Sequence, residues 1–115
     1  MSDIDELTKL SIKFRDERNW KQFHSPKELA ISLMLEAGEL LEQFKWKTPA
    51  EVTDYINSNK QQVEEEIADI FYHILVLSHD LKIDLSRAYR NKILKNQTKY
   101  PLEKAKGNNK KYTEL

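Results

Sequence analysis

Apolar residues recur along this chain at the spacing of amphipathic helices, three and four positions apart. From about Asp3 to Arg18, Ile4, Leu7, Leu10 and Phe14 form one stripe, with Ile12 beside it. The next segment opens on Ser25-Pro26-Lys27-Glu28, a capping box with proline at the first helical position, and runs to about Phe44. Leu29, Leu33, Leu40 and Phe44 make its main apolar face, widened by Ala30, Ala37 and Leu41. Thr48-Pro49-Ala50-Glu51 is a second capping signature, opening a short helix to about Ile56 that Asn57-Ser58-Asn59 breaks. A long helix from about Lys60 to Leu81 carries Val63, Ile67, Ile70, Phe71, Ile74, Leu77 and Leu81. Asp84 caps a last helix through about Thr98, and Tyr100-Pro101 ends it, because proline lacks a donor and restricts the residue before it. Residues 1–101 therefore read as one all-α domain, and residues 102–115 as a Lys-rich tail, mobile or ordered by a partner.

Composition narrows this picture. A chain of 115 residues fits one domain with a small core, so helices with wide apolar faces gain from pairing with a second copy. Two glycines and three prolines leave few tight turns for a sheet. Nineteen acids balance nineteen bases, which argues against a general nucleic-acid binder. The absence of cysteine excludes disulfides, thiolate zinc sites and cysteine nucleophiles. The first residues lack the basic start and apolar core of a signal peptide, and no apolar run approaches the ~18 residues of a membrane span. The expectation is a cytoplasmic protein with no membrane partner.

Charge is distributed unevenly. The second helix carries Glu28, Glu36, Glu39 and Glu42, and the long helix carries Glu64, Glu65, Glu66 and Asp69. The segment after Asp84 carries only bases: Arg87, Arg90, Lys92, Lys95 and Lys99. Charge runs are usually solvated faces, yet two acidic helices and one basic helix are also what a metal–triphosphate site needs. Glu36 and Glu39 share a helical face, and Glu66 and Asp69 repeat the spacing. Glu36 interrupts the stripe of Leu29, Leu33 and Leu40, and Asp69 lies within Ile67-Ala68-Asp69-Ile70-Phe71. Carboxylates placed there lose hydration and repel one another unless a cation joins them, and an all-oxygen donor set suits Mg²⁺. Ala37-Gly38 keeps the helix surface thin between the first pair. A di-iron bundle needs Glu-x-x-His, but Lys21, Ile70 and Val76 stand three before His24, His73 and His79.

Glu36-x-x-Glu39, 26 further residues and then Glu66-x-x-Asp69 resembles the metal signature of the MazG-type all-α NTP pyrophosphohydrolases, most closely their dCTP pyrophosphatase branch. Glu17-Arg18-Asn19-Trp20-Lys21-Gln22-Phe23-His24, Gln43-Phe44-Lys45-Trp46-Lys47, Asn96 through Tyr100-Pro101 and Lys111-Tyr112-Thr113-Glu114-Leu115 extend the resemblance over nearly the whole chain. It implies a four-helix bundle, oligomeric as a dimer or a dimer of dimers, and Mg²⁺ held by Glu36, Glu39, Glu66 and Asp69. It implies cleavage of a nucleoside triphosphate to the monophosphate and pyrophosphate, with dCTP or a modified relative as substrate. Trp20 and Trp46 would line the base pocket with His24 close by, and Lys92, Asn96, Lys99 and Tyr100 would face phosphates and sugar. Three positions depart from the branch: His73, preceded by Tyr72, stands where tyrosine is common, Ser11 where relatives carry histidine, and Gln97 where arginine often follows the asparagine. His73 stands between pocket wall and core. Glu36 or Glu39 is the candidate general base. The competing reading is a non-catalytic helical interaction or regulatory module, for which the acids only solubilise the chain.

Overall fold

A computed structural model describes residues 2–115 and contains helices and turns with no strand among them. Helix α1 spans Asp3–Glu17, α2 Pro26–Phe44, α3 Pro49–Ser58, α4 Lys60–Asp80, α5 Leu85–Lys99 and α6 Leu102–Ala105. Short 3₁₀ turns occupy Lys21–Phe23 and Tyr112–Glu114. The fold class expected from the sequence, all-α, is the one observed.

Local chemistry sets the helix starts. The Ser2 hydroxyl accepts from the Asp5 amide (3.2 Å) and the Asp5 carboxylate accepts from the Ser2 amide (3.4 Å), closing a capping box on α1. Thr48 and Glu51 form the same reciprocal pair on α3. At Ser25 only half of the expected box forms: its hydroxyl accepts from the Glu28 amide (3.2 Å), and Pro26 takes the first helical position. Asp84 caps α5 by accepting from the Arg87 amide (3.1 Å).

The expected break at Asn57-Ser58-Asn59 is corrected to Asn59 alone. Helix α3 continues through Ser58, and there the Asn59 backbone N–H and side-chain amide both donate to the Tyr55 carbonyl (2.8 and 3.1 Å). Past Pro101, where the sequence reads as a tail, α6 and the second 3₁₀ turn form. Tyr112 packs edge-on against Tyr100, and its ring lies 4.9 Å from the Lys99 ammonium.

The chain divides into two compact units, Met1–Lys82 and Ile83–Leu115. In the first, α4 is the central rod, packed against α1, α2 and α3. Helices α2 and α4 are antiparallel: the Gln43 side chain near the end of α2 donates to the Gln62 carbonyl near the start of α4 (3.5 Å). The buried apolar residues are few: Leu29, Val63, Leu75 and Val76. Several expected core residues are open instead. Leu7, Leu10 and Phe14 on α1, Ile67 on α4 and Leu81 just past its end are exposed, because the rod meets its neighbours with Val63, Leu75 and Val76 and leaves other apolar positions uncovered. A second open stripe runs along α2 through Ile31, Met34, Leu35 and Leu41. Gly38 lies on it, with nothing within 4 Å of where a side chain would begin.

Candidate active site

Glu36 and Glu39 occupy the middle of α2, and Glu66 faces them from α4. One carboxylate oxygen from each lies within 4.8 Å of the others. Helical spacing explains the meeting: Glu36 replaces a leucine in the α2 stripe that packs on α4, and Glu66 follows Val63 by one turn. One carboxylate oxygen of Glu36 and one of Glu66 are buried and have no hydrogen-bond partner. Such groups are costly unless something else binds them.

The electrostatics agree. The Glu36 carboxyl is pushed up to about 7, first by burial, then by carboxyls of Glu39 and Glu66 that stabilise a proton on it, then by the charges of Glu39 and Asp69. Glu66 is also raised, chiefly by burial, against the opposing effect of a hydrogen bond with Glu36 and with the Glu39 and Asp69 charges adding to it. Unpaired oxygens, mutual repulsion and an all-oxygen donor set fit a hard divalent cation. Asp69, one turn beyond Glu66, is exposed and stands outside the close triad, although its charge acts on the half-buried carboxyls of Glu36 and Glu66.

The other sequence-marked residues fall at three places. Trp20 and His24 flank the 3₁₀ turn before α2, where Trp20 packs edge-on against Phe14 (5.5 Å between centroids) and His24 (6.5 Å). Nδ1 of His24 is buried and unpartnered. Burial, then the nearby charges of Arg15 and His73, hold this imidazole below its ordinary value, against the opposing pull of Asp80. His73 lies one turn after Asp69 on α4 and edge-on to Tyr72 (5.1 Å). Its Nδ1–H donates to the Asp69 carbonyl (2.8 Å), since a carbonyl can only accept, and this leaves Nε2 as the acceptor in the neutral ring.

Trp46 lies just beyond the other end of α2, 90% exposed, with a left-handed backbone (φ 66°) and the Lys45 ammonium 5.3 Å from its ring. Helix α2 has 19 residues, about 28 Å at 1.5 Å per residue. Within one chain the two tryptophans are therefore held apart rather than brought to one base. Lys92, Asn96 and Lys99 lie on α5 with Tyr100 at its end, all in the second unit, and only Asn96 is half-buried.

Sequence reasoning missed Arg15 and Tyr72. Arg15 is 1% exposed, with its guanidinium on Asp80 of α4 (2.7 Å). The Tyr72 hydroxyl is buried without a partner, and burial chiefly raises its pKa. No local signal marks Arg15, which lies next to Phe14 at the edge of the α1 stripe, because its partner Asp80 is 65 residues away.

The chain is also similar to known proteins. Residues 31–115 match the MazG-like family. The chain is 34% identical over 114 residues to dCTP pyrophosphatase 1 of Rattus norvegicus and to that of Homo sapiens, covering 97% of this chain and 67% of each relative. It also resembles the crystal structure of a pyrophosphatase from Archaeoglobus fulgidus, with a TM-score of 0.83 and 38% identity over 88% of this chain and 94% of that one. The carboxylate triad on an all-helical scaffold and these likenesses lead to one conclusion: the chain belongs to the MazG-like family of all-α nucleoside triphosphate pyrophosphohydrolases.

Proposed function

We propose that this enzyme hydrolyses dCTP, or a closely related deoxynucleoside triphosphate, to the monophosphate and pyrophosphate in a Mg²⁺-dependent reaction. The observation that carries the metal requirement is the meeting of Glu36, Glu39 and Glu66, with two buried oxygens unpartnered. The substrate class rests on the dCTP pyrophosphatases that share a third of its residues.

Glu36, Glu39, Glu66 and Asp69 would hold the cation. When bound, it would supply charge neutralisation at the phosphates and acidify a nearby water. Water adds across the α–β phosphoanhydride bond, and its proton goes to a carboxylate oxygen of Glu36 or Glu39 acting as general base. Lys92 and Lys99 are the ammonium groups assigned to the β and γ phosphates, and Asn96 and Tyr100 are assigned to sugar or phosphate oxygens. Trp20 offers a face for stacking a base. His24 and His73 bring ring nitrogens to the same end of α4.

Trp46 is assigned to the base as well, and its separation from Trp20 has a consequence. Both indoles can serve one nucleotide only if a second copy brings its Trp46 to the first copy's Trp20. The open stripes of α1 and α2 favour such a homo-oligomer, since monomers rarely leave this much large apolar surface uncovered. The activity would belong to the cytoplasmic nucleotide pool.

The deciding experiment assays a panel of canonical and modified triphosphates for pyrophosphate release, with Mg²⁺ and with EDTA. Release from dCTP or a relative, abolished by EDTA, is expected. Inertness toward every triphosphate would sink the proposal.

A further inference from the structure

Arg15 is the one fully buried charged residue among the described residues. Its Nη1 donates to Asp80 Oδ2 (2.7 Å) and its Nε to Asp16 Oδ1 (3.2 Å). Taking an ion pair out of water costs about as much as the attraction returns, so stability alone does not account for it. A planar guanidinium holding two acceptors in fixed directions instead imposes geometry.

The backbone of the same residue carries that geometry onward. The Arg15 carbonyl accepts from the amides of Arg18 and Trp20, both at 3.2 Å. Between them Asn19 turns the chain through a left-handed conformation (φ 54°). Trp20 is thus bonded directly to the residue whose side chain is locked on α4. Asp80 ends the helix that also bears Glu66 and Asp69. By helical spacing Glu66, Asp69, His73, Val76 and Asp80 follow one another along a narrow stripe of that rod.

We infer that the Arg15–Asp80 pair is a positioning clamp: it fixes Trp20 on the rod that carries the carboxylates, so that the base-binding indole and the phosphate-cleaving site keep a set separation. A substrate with a base at one end and reacting phosphates at the other needs that separation held within a fraction of an ångström. The inference rests on the assignment of Trp20 to the base. Arg15 acts through Trp20 and touches no substrate itself.

The test replaces both partners, Arg15→Met with Asp80→Leu, so that no lone charge is left buried. Melting temperature should stay within a few degrees, as for other buried pairs exchanged for apolar residues. KM for dCTP should rise about fivefold or more with kcat held within about twofold. In a Trp46→Phe background Trp20 is the sole indole, and acrylamide quenching of its fluorescence should rise in the doubly substituted protein. Asp80→Asn, which keeps an acceptor for the guanidinium, should show the same changes at smaller amplitude. Unchanged Trp20 quenching would overturn the clamp. Raised quenching with an unchanged KM would uphold the clamp and overturn the assignment of Trp20 to the base.

Discussion

Glu36 of α2 and Glu66 of α4 bring carboxylate oxygens within 4.8 Å of each other, and each has a buried oxygen without a hydrogen bond. Two helices that pack through leucine and valine elsewhere thus meet acid to acid at mid-length. Glu39→Gln should lower Mg²⁺-dependent pyrophosphate release from dCTP by about 100-fold or more, the scale of removing a catalytic acid–base or metal-binding group. Asp69→Asn should do the same if Asp69 joins the cation. Helix content by circular dichroism should not change in either variant. Normal turnover in one of them removes that residue from the site.

The same crowding gives a pH signature. Glu36 is raised from 4.5 to about 7, so between those values the native protein keeps a proton that the unfolded chain has lost. Stability contributed at this position therefore falls as pH rises through that window and stays reduced above it. In EDTA, Glu36→Gln should gain melting temperature relative to the parent as pH goes from 5 to 8, with the difference levelling above about 7. Adding Mg²⁺ at pH 8 should stabilise the parent and leave the variant nearly unchanged. A difference independent of pH would show that the carboxyl does not resist ionisation.

Trp46→Ala should raise KM for dCTP about tenfold with little change in kcat, if the ring contributes only stacking to the base. The measurement is steady-state kinetics in saturating Mg²⁺. An unaltered KM would exclude the indole from the pocket.

Light scattering should give a mass above the 13.7 kDa of one chain. Charged replacements on the open α2 stripe, such as Met34→Glu with Leu35→Lys, should shift the mass toward the monomer and lower activity together. A monomer that remains fully active would detach the oligomer from catalysis.

The helix plan was readable because its signals are local. Ser25-Pro26 and Thr48-Pro49 fix two starts by backbone hydrogen bonding, and Tyr100-Pro101 fixes an end. Glu36 was readable as an acid inside an apolar stripe, and that misplacement is what brings it to Glu66. Arg15 was not readable. Its partner is 65 residues away, and nothing in the neighbourhood of a helix-edge arginine foretells a distant carboxylate. The separation of Trp20 from Trp46 was equally hidden, since it depends on α2 being straight and unbroken between them. Burial was overestimated on α1 and α4 for a related reason: an apolar stripe marks a face to be covered and does not say whether the cover is the same chain.

The left-handed backbone at Trp46 has an evolutionary corollary. A bulky residue there strains the main chain by about 1 kcal/mol, and a side chain 90% exposed returns no burial within its own chain. Glycine would remove the strain, so Trp46→Gly should melt higher than Trp46→Ala while both lose the same affinity for nucleotide. Selection for folding alone would drift toward glycine at this position, so under the proposed base-binding role the indole trades sturdiness of the chain for grip on a nucleotide.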